Sequence, residues 1–337
     1  MSSILLTGGM GYIGSHTAVL LLEAGHEVVL YDNLSNSSID VKEKIQEITN
    51  KKVSFVEGDV LETELLTQTL KDFNVDIVIH FAGLKAVGES VEKPIEYFEN
   101  NIAGSISLLK AMKKSDVKKI VFSSSATVYS EPEYLPYDED HPTSAVNPYG
   151  RSKLHIEEML KDICNSQKDF SVICLRYFNP VGAHESGLIG EDPKDIPNNL
   201  MPYIAQVASG KLKELNIFGD DYPTQDGTGV RDYIHVMDLA SGHVSVLSFS
   251  EDSPGWHAFN LGTGSGVSVL ELVKTFEKVN QLTIPYKITP RRSGDVAESY
   301  SDSSKAKTLL HWSAKKDIGD MCRDTWKFQM KSKEKDI

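Results

Sequence analysis

The sequence predicts an α/β protein built on a doubly wound parallel sheet. Through the first half of the chain, short runs of apolar and β-branched residues alternate with longer segments of helical pattern. The short runs are apolar throughout, as at residues 77–79. Strands of this kind are buried on both faces, which is typical of a parallel sheet covered by helices on either side. A glycine-rich turn joins the first run to the first helical segment, as is common in this fold class.

The predicted strands follow one another along the first half of the chain. They cover residues 4–7, 28–31, 53–56, 77–81, 119–123 and 171–177. After Asn179-Pro180 the alternation ends, and Gly, Pro and Asn residues interrupt the region 182–202. We therefore predict a domain of residues 1–180 and a smaller C-terminal, substrate-binding domain of residues 181–337. Two later runs, 215–218 and 259–261, also predict strands, so some segments of the second part should return to the sheet.

Composition and charge exclude several classes of function. The 337 residues are 40% hydrophobic and 25% charged, which is ordinary for a globular protein. The formal net charge is -13 and no block rich in Lys and Arg precedes the mixed tail, so no nucleic-acid partner is expected. The three cysteines and ten histidines show neither disulfide nor metal-ligand spacing. No segment predicts a membrane span or a signal peptide, so we expect a cytoplasmic protein that does not bind membranes.

The glycine-rich turn predicts a dinucleotide site. Gly8, Gly11 and Gly14 lie directly after the first strand and open a helix that runs to about residue 24. The glycines let the backbone approach a pyrophosphate, and the helix N-terminus offers it unpaired N–H groups. The next strand ends in Asp32, where a carboxylate binds the adenosine ribose hydroxyls. Because Asp32 would repel a 2′-phosphate and Asn33 supplies no guanidinium, we predict NAD rather than NADP in a Rossmann-like domain.

A second glycine-rich run, residues 262–266, also follows a strand-like segment and precedes a helical pattern. No acidic residue follows it at the distance that ribose binding requires. We interpret this run as a tight structural turn.

Tyr149, Lys153 and Ser125 are the candidate catalytic residues. Tyr149 and Lys153 lie four residues apart at the start of a predicted helix, 149–164, so their side chains share one face. The Lys153 ammonium is expected to lower the pKa of the Tyr149 phenol toward the range of a working acid and base. Ser125 follows a predicted strand at the carboxyl edge of the sheet, where it can hydrogen-bond the same substrate hydroxyl. These groups indicate an enzyme that transfers a hydride between NAD and a carbinol carbon.

Several long motifs resemble those of one enzyme family. They are TGG at 7–9, FAGLKAVGES at 81–90, SSSATVY at 123–129, LRYFNP at 175–180, PNNLMP at 197–202, DGTGVRDYIH at 226–235 and NLG at 260–262. On these motifs, which span nearly the whole chain, the sequence resembles the extended short-chain dehydrogenases/reductases, and most closely their UDP-glucose 4-epimerase family. The resemblance implies that Tyr149 takes the proton of the sugar 4-hydroxyl while C4 gives its hydride to NAD. A 4-keto sugar then turns over and is reduced on its other face, which interconverts UDP-galactose and UDP-glucose in galactose metabolism.

The resemblance also implies two sets of binding residues. Around NAD, with the three glycines, it places Tyr12, Ile13, Asp32, Asn33, Asn36, Ser37, Asp59, Val60, Phe81, Ala82, Gly83, Lys85, Asn100, Ser125, Tyr149, Lys153 and Tyr177. Around the UDP-sugar it places Lys85, Ser125, Tyr149, Tyr177, Phe178, Asn179, Asn198, Asn199, Leu200, Asn216, Ile217, Phe218, Arg231, Arg292, Asp295 and Ser299. Arginines suit a diphosphate because the guanidinium fork matches its oxygens, and asparagines can bind sugar hydroxyls and the uracil edge.

Two further expectations follow from the resemblance. The first is a homodimer with an interface formed by helices near residues 100–113 and 149–164. The second concerns the range of substrates. In the family, a Tyr at the position of Ser299 restricts the site to UDP-glucose and UDP-galactose, whereas a small residue admits N-acetylated sugars. Because Ser299 is small, we expect activity also on UDP-N-acetylglucosamine and UDP-N-acetylgalactosamine.

Two other functions are compatible with an NAD-binding fold. A nucleotide-sugar 4,6-dehydratase also begins by oxidising C4, but its elimination step needs an additional acid and base, typically Asp-Glu after a Thr at the strand end. This chain has Ser125-Ala126-Thr127 there, which argues against the dehydratase. A non-catalytic NAD-binding sensor would use the glycines but not Tyr149, Lys153 and Ser125. We therefore favour the epimerase.

Overall fold

The structure, a computed structural model, describes residues 1–129, 131–194, 196–292 and 294–335. The strands are β1 (Ser3–Thr7), β2 (Glu27–Asp32), β3 (Ser54–Glu57), β4 (Ile77–His80), β5 (Lys119–Ser125), β6 (Ser171–Tyr177), β7 (Asn179–Val181), β8 (Leu215–Phe218), β9 (Val230–His235), β10 (Gly255–Leu261), β11 (Gly266–Ser268), β12 (Tyr286–Thr289) and β13 (Glu298–Ser299). The α-helices are α1 (Tyr12–Glu23), α2 (Asp40–Thr49), α3 (Thr63–Asp72), α4 (Val87–Glu92), α5 (Pro94–Phe98), α6 (Gly104–Lys114), α7 (Pro148–Ser166), α8 (Leu200–Ala208), α9 (Val236–Asp252), α10 (Val269–Asn280), α11 (Ser304–Leu309) and α12 (Ile318–Lys335). A π-helical turn, Glu99–Ala103, precedes α6. None of the helices in these ranges is both long and apolar enough to cross a membrane.

The largest sheet within the described residues has seven strands, and every neighbouring pair in it is parallel. Its order is β3-β2-β1-β4-β5-β6-β10. The chain reverses its direction of travel across the sheet between β1 and β4, the kind of switch point at which α/β sheets bind ligands. All strands predicted in the first half are present, and their ends differ from the prediction by at most two residues. The predicted strand at 259–261 is confirmed as part of β10, which returns to the sheet beside β6.

Helices cover both faces of this sheet. In β1, Ile4 and Leu6 pack with residues of α1, α2 and α9 on one face, and Leu5 packs with residues of α3, α6 and α7 on the other. All three side chains are fully buried. Because successive residues of a strand face opposite sides, a strand covered on both sides is apolar throughout. The doubly wound, Rossmann-like α/β class predicted from the sequence is confirmed.

The chain after residue 180 builds smaller sheets and a separate core. Strands β7, β11 and β13 each pair with β9, and β8 pairs with β12. The predicted strand Leu215–Phe218 is therefore present as β8, but it belongs to a small sheet. Helices α8, α10 and α12 bury a core that includes Met201, Ile217, Phe276 and Met321. In contrast, residues of α9 and β10 pack in the cores of the large sheet.

Candidate active site

The predicted site residues of the first half converge on one edge of the large sheet. Parallel strands direct their carboxyl ends to the same edge, and the ends of β1, β2, β3, β4 and β5 meet there. Hydrogen bonds hold the neighbouring turns side by side. The Gly8 N–H donates to Tyr31 O (2.8 Å) and the Ala82 N–H donates to Thr7 O (3.0 Å). These turns carry Gly8, Asp32, Asp59, Lys85 and Ser125.

Of the three glycines predicted to contact NAD in the glycine-rich turn, two are packed inward and the third faces outward. Gly8 has a φ of +67°, and a Cβ there would lie 2.7 Å from the Ala82 nitrogen. A Cβ at Gly14 would overlap the Gly8 carbonyl oxygen and lie 2.9 Å from Gly9 Cα. At Gly11, by contrast, a Cβ would meet the Gly8 oxygen at 3.2 Å and otherwise point into open space among the described residues. The turn therefore leaves room for a pyrophosphate on the outer side of Gly11.

The N-terminus of α1 is open to an anion. Its N-cap is Gly11, so no side chain caps the first turn. The N–H groups of a first helical turn have no partner within the helix, and the aligned peptide dipoles add positive potential at this end. The helix end therefore fits the pyrophosphate of a dinucleotide.

Asp32 is oriented by three hydrogen bonds at the end of β2. Its Oδ2 accepts from the Met10 N–H (3.0 Å), and its Oδ1 accepts from the Leu34 N–H (2.9 Å) and the Ser37 hydroxyl (2.8 Å). The side chain is held in one orientation because its two oxygens are bonded to two separate segments, the turn after β1 and the loop after β2. A carboxylate fixed here can still accept hydrogen bonds from ribose hydroxyls. Ser37, which was predicted to contact NAD, thus also orients Asp32.

The other predicted cofactor residues surround this cluster. Asn33 donates from Nδ2 to Asp59 Oδ2 (2.8 Å), which joins the turns after β2 and β3. Val60 packs against Gly104, where an added Cβ would lie 2.8 Å from the Val60 side chain. The rest lie on the same edge, with Tyr12 and Ile13 in the first turn of α1, Asn36 after β2, Phe81, Ala82 and Gly83 after β4, and Asn100 in the π-helical turn.

His243 is a site residue that the sequence patterns did not indicate. Its Nδ1–H donates to the Leu239 carbonyl (2.9 Å), so its Nε2 accepts a hydrogen bond from the Tyr177 hydroxyl (2.5 Å). Burial lowers the pKa of His243 to about 4, which keeps the ring neutral and able to accept. The Phe81 ring centre lies 4.9 Å from the His243 ring centre. Because the Tyr177 hydroxyl is engaged with His243, its proton is not available to a ligand.

Helix α7 places Tyr149 and Lys153 on one face, as predicted. The Asn147 side chain caps the helix by accepting from the Gly150 N–H (2.8 Å), and a proline occupies the first helical position. Tyr149 therefore stands in the first turn. Lys153, one turn later, is 5% exposed. Its Nζ donates to Ser123 O (2.7 Å) and lies 6.0 Å from the centre of the Tyr149 ring.

Ser125 completes the group of candidate catalytic residues. Its Oγ accepts hydrogen bonds from the N–H and the hydroxyl of Thr127, at 3.2 and 3.0 Å. The one proton of the Ser125 hydroxyl is then free to donate toward the nearby Tyr149 oxygen, an interaction that acts to lower the pKa of the phenol. The structure therefore brings Ser125, Tyr149 and Lys153 together at the sheet edge.

The electrostatics of this group differ from the expectation. Desolvation raises the pKa of the Tyr149 phenol above its ordinary value, and the Ser125 hydrogen bond and the Lys85 charge only partly oppose it. The cation that acts on the phenol is thus Lys85, because the Lys153 ammonium is directed at the Ser123 carbonyl. Burial lowers the pKa of Lys153 itself to about 8, and the charge of Glu157 opposes this shift.

Glu191 is another site residue that no motif indicated. Its Oε1 accepts hydrogen bonds from Lys85 Nζ and Asn199 Nδ2, both at 2.7 Å. These two partners were predicted to contact ligand, and they come from distant parts of the chain. Partial desolvation acts to lower the pKa of Lys85, but the charge and hydrogen bond of Glu191 outweigh it and raise the pKa above its ordinary value. Lys85 is therefore a firmly protonated cation close to Tyr149.

Two arginines of the second part share one carboxylate. Asp295 accepts from Arg292 Nε (3.1 Å), and its other oxygen lies 3.7 Å from Arg231 Nη2. The Arg292 guanidinium stacks over the Phe218 ring, 4.6 Å from its centre. Two guanidinium groups on one carboxylate leave a net positive charge, which suits a diphosphate.

β8 presents two of its three predicted residues on one face. Ile217 is 1% exposed and packs in the core of the second part, so its side chain points away from the other two predicted residues of the strand. Asn216 and Phe218 lie on the opposite face because side chains alternate along a strand. The Asn216 Oδ1 is buried without a hydrogen-bond partner among the described residues. A buried acceptor without a hydrogen bond costs free energy, so this oxygen is suited to accept a hydrogen bond from a ligand.

Ser299 faces the same side as the arginines. β13 runs parallel to β9 with Ser299 opposite Arg231. Opposed residues of paired strands share a face, and the next residue along the strand turns to the other. Tyr300 accordingly lies near Gly266, where an added Cβ would be 3.3 Å from its ring. The small side chain, and not the bulky one, shares a face with Arg231.

The remaining predicted substrate residues border these clusters. Phe178 is 6% exposed and packs with Tyr129 and Tyr137 in a small core. Asn179 is exposed at the start of β7, and β7 pairs with the strand that carries Arg231. Asn198 is exposed before α8, and Leu200 is the first residue of that helix.

The second glycine-rich run is a structural turn, as predicted. The N–H groups of Thr263 and Gly264 donate to the Asp232 carboxylate at 2.8 and 3.0 Å. Asp232 also accepts from Ser301 Oγ (2.6 Å). Because these backbone donors are already engaged, the turn does not resemble a phosphate cradle.

Comparison with known proteins groups the chain with sugar-nucleotide enzymes. A protein-family model described as GDP-mannose 4,6 dehydratase matches residues 5–325. The chain is 57% identical over 331 residues to a UDP-glucose 4-epimerase of Pasteurella multocida, an alignment that covers 98% of each protein. It is 56% identical over 327 residues to a UDP-glucose 4-epimerase of Bacillus subtilis, which covers 97% of this chain and 96% of the relative.

Solved structures give the same grouping. A UDP-glucose-4-epimerase from Stenotrophomonas maltophila, crystallised with NAD and formylated UDP-arabinopyranose, superposes with a TM-score of 0.98 at 50% identity. The match covers 99% of this chain and 100% of that one. A UDP-glucose 4-epimerase from Bifidobacterium longum, in complex with NAD+ and UDP, gives a TM-score of 0.95 at 53% identity and covers 98% and 99% of the two chains.

Proposed function

The chain belongs to the UDP-glucose 4-epimerase family of the extended short-chain dehydrogenases/reductases, and we propose from this that it interconverts UDP-galactose and UDP-glucose. The reaction proceeds by transient oxidation at C4 of the sugar with NAD as the cofactor. The observation that carries this function is the meeting of Tyr149, Ser125 and Lys153 at a sheet edge that also carries the open N-terminus of α1. The solved relatives that hold NAD together with UDP or a UDP-sugar support it.

The residues that would hold NAD are those at the sheet edge. We propose that the N–H groups of the first turn of α1 face the pyrophosphate, that Asp32 accepts from the adenosine ribose, and that Lys153 reaches the ribose of the nicotinamide half. The chemistry that NAD supplies when bound is hydride transfer to and from C4 of the sugar.

Tyr149 holds the proton that accompanies this transfer. Its oxygen would accept the proton of the sugar 4-hydroxyl and return it in the second half of the cycle. Ser125, which donates to the same oxygen, would orient the substrate hydroxyl. The nearby Lys85 charge favours the phenolate and so assists the first proton transfer.

The second part of the chain would bind the nucleotide sugar. We propose that Arg231 and Arg292 bind the diphosphate, and that the unpartnered Asn216 oxygen accepts a hydrogen bond from uracil. Lys85 and Asn199, held together by Glu191, would bind sugar hydroxyls. We propose that residues 1–180 bind NAD and that residues 181–337 mainly bind the UDP-sugar. From this second part, β10 adds a strand to the large sheet and α9 packs against it.

The matching family model is named for a 4,6-dehydratase, which makes that reaction the main alternative. Elimination of water would need a carboxylic acid at the end of β5. Ser125 is followed there by Ala126, Thr127 and Val128, and the Thr127 hydroxyl is bonded to Ser125. The strand end therefore supports epimerisation over elimination.

The purified protein is expected to convert UDP-galactose to UDP-glucose with no added NAD. A reaction that returns its hydride leaves the cofactor unchanged, so NAD should copurify and its amount should stay constant over many turnovers. Product separation and mass spectrometry of the sugar nucleotides check this. A dependence on stoichiometric NAD would indicate a dehydrogenase, and a product lighter by one water would indicate the dehydratase.

Wild-type protein is also expected to interconvert the N-acetylated pair, and Ser299→Tyr is expected to reduce that activity selectively. The acetamido group of the sugar cannot share its volume with a tyrosine phenol at position 299. The hydroxymethyl side chain of Ser299 leaves space for it. Comparing kcat/KM for both sugar pairs should show about a 100-fold fall for the N-acetylated pair and a small change for the plain pair. Ser299→Ala is the matched control and should keep both activities. Equal effects of Ser299→Tyr on both pairs would contradict a selective role.

We propose a homodimer with the faces around 100–113 and 149–164 as its interface. Apolar side chains are exposed close to this region, with Ile95 at 75%, Val91 at 64% and Ile106 at 37% exposed. Light scattering is expected to give twice the mass of one 37.3 kDa chain. Ile106→Glu should shift the mass toward one chain, and an unchanged dimer would place the interface elsewhere.

A cytoplasmic location is proposed because the cysteines are free, as is usual in a reducing compartment.

A further inference from the structure

Three residues of the family-like motifs have no part in the site described so far. Tyr129, Arg176 and Asn260 lie in the motifs at 123–129, 175–180 and 260–262. All three are buried, with 3%, 3% and 0% of their surface exposed. A buried arginine needs a partner, and the structure provides one on the helix that carries Tyr149 and Lys153.

Glu157 of α7 is that partner. Arg176 Nε donates to Glu157 Oε1 (3.1 Å) and Arg176 Nη2 donates to Glu157 Oε2 (2.7 Å), which is the forked geometry of a strong pair. The Ser124 hydroxyl also donates to Glu157 Oε1 (2.5 Å). Both charged side chains are less than 5% exposed. The pair therefore joins α7 to the carboxyl-terminal ends of β5 and β6, next to Ser125 and Tyr177.

The hydrogen bonds continue across the sheet to β10. Arg176 Nη1 donates to the Tyr129 oxygen (3.0 Å), and the Tyr129 hydroxyl donates to Asn260 Oδ1 (2.8 Å). Asn260 Nδ2 in turn donates to Tyr137 O (2.9 Å). The three motif residues and Glu157 thus form one buried network, and Glu157 is its member on the helix of the candidate catalytic residues.

Stability alone does not account for a buried ion pair, because apolar residues of similar size would avoid its desolvation. The position of the pair suggests a different use. Glu157 lies one helical turn after Lys153, on the same face of α7. Lys153 is itself a buried cation, and within the described residues its hydrogen bond goes to a neutral group, the Ser123 carbonyl.

We propose that Glu157 is a positioning residue for the candidate catalytic helix. It fixes α7, which carries Tyr149, against the ends of β5 and β6, and it stabilises the ammonium of Lys153, the residue proposed to bind the ribose of the nicotinamide half. This inference rests on the proposed epimerase function. It assigns to the buried network a role in keeping Lys153 charged and in place.

The groups that face Lys153 support this assignment. His80 of β4 is neutral, since burial and the Lys153 charge lower its pKa to about 3. The Phe122 ring of β5 lies 4.9 Å from Lys153 Nζ, and Tyr149 is the other titratable neighbour on α7. The Glu157 charge is the one that acts to raise the pKa of Lys153, which burial lowers to about 8. Without this charge, the ammonium loses its proton at lower pH.

The test is the pH dependence of kcat/KM for Glu157→Gln. The amide keeps the shape and can accept from Arg176 and Ser124, but it removes the charge. The alkaline side of the profile is expected to move down by about one pH unit, so that activity at about pH 9 falls about tenfold while activity at about pH 6.5 changes little. Glu43→Gln is the matched control, since Glu43 is an exposed residue of α2, outside the candidate site and the proposed dimer interface. It should leave the profile unchanged.

A second variant separates positioning from folding. In Glu157→Leu with Arg176→Met both charges are replaced by apolar side chains, a change that is often neutral for stability. Thermal unfolding and NAD content are measured for every variant. If either variant folds, retains NAD and has the wild-type pH profile, the inference is overturned. It is also overturned if neither variant folds, because the Glu157–Arg176 pair would then be purely structural. An inactive wild type would instead overturn the proposed function, and this inference with it.

Discussion

Tyr149→Phe is expected to retain the fold and bound NAD but to lose about 10³-fold in kcat for UDP-galactose, the usual contribution of a positioned acid and base. The substitution keeps the ring in the first turn of α7 and removes the phenol oxygen, whose pKa Ser125 acts to lower. The sugar hydroxyl then has no group to take its proton while C4 is oxidised. Steady-state kinetics with UDP-galactose and the absorbance of the copurified cofactor measure both effects.

Tyr134→Phe is the control for this variant. Tyr134 is 44% exposed and its hydroxyl donates to Asp138 (2.8 Å), so the change removes a tyrosine hydroxyl at a position outside the candidate site. It should leave kcat unaltered. If Tyr149→Phe instead turns over at near the wild-type rate, another residue must move the proton and the assignment of Tyr149 is wrong.

Gly14→Ala is expected to weaken NAD binding by about 10- to 100-fold, as follows from an overpacking cost of about 1–3 kcal/mol. The added Cβ would overlap the Gly8 carbonyl oxygen and crowd Gly9 Cα at 2.9 Å. These are backbone atoms, which cannot rotate away as a side chain would, so the turn must open at the place where the pyrophosphate binds. The measurements are the NAD content after purification and the NAD concentration that restores epimerisation.

Gly88→Ala makes the same chemical change in α4, where an added Cβ would meet nothing within 4 Å. This variant should purify with the wild-type content of NAD. Equal NAD retention by Gly14→Ala would show that the turn tolerates a side chain, and the tight packing of Gly14 would then have no bearing on cofactor binding.

The large sheet and its glycine-rich turn could be predicted because their signals are local. A run such as that around Leu5 is apolar throughout because both of its faces are covered, and this is visible in a few consecutive letters. Tyr149 and Lys153 could be paired for the same reason, since a spacing of four residues within one helix brings side chains together. The predicted ends of these elements differ from the observed ends by at most two residues, which does not change the position of the candidate site.

Contacts between distant segments could not be predicted in this way. Glu191 lies 106 residues from Lys85, and no spacing rule connects them. His243 meets Tyr177 across 66 residues for the same reason. The pKa of Tyr149 was expected to fall, but it depends on desolvation and on where the nearest ammonium points, and both are properties of the folded site. Ile217 turned inward because the alternation of a short strand fixes which residues face the core.

The place of β10 in the large sheet bears on how the chain folds during synthesis. β6 is complete at Tyr177, but the neighbour on its outer side, β10, begins at Gly255. While the roughly 80 intervening residues leave the ribosome, β6 remains an edge strand with apolar side chains and unpaired backbone groups. A fragment truncated near residue 180 would keep that open edge permanently and would be prone to aggregate. The cofactor-binding half therefore depends for its solubility on a segment translated long after its last candidate cofactor residue.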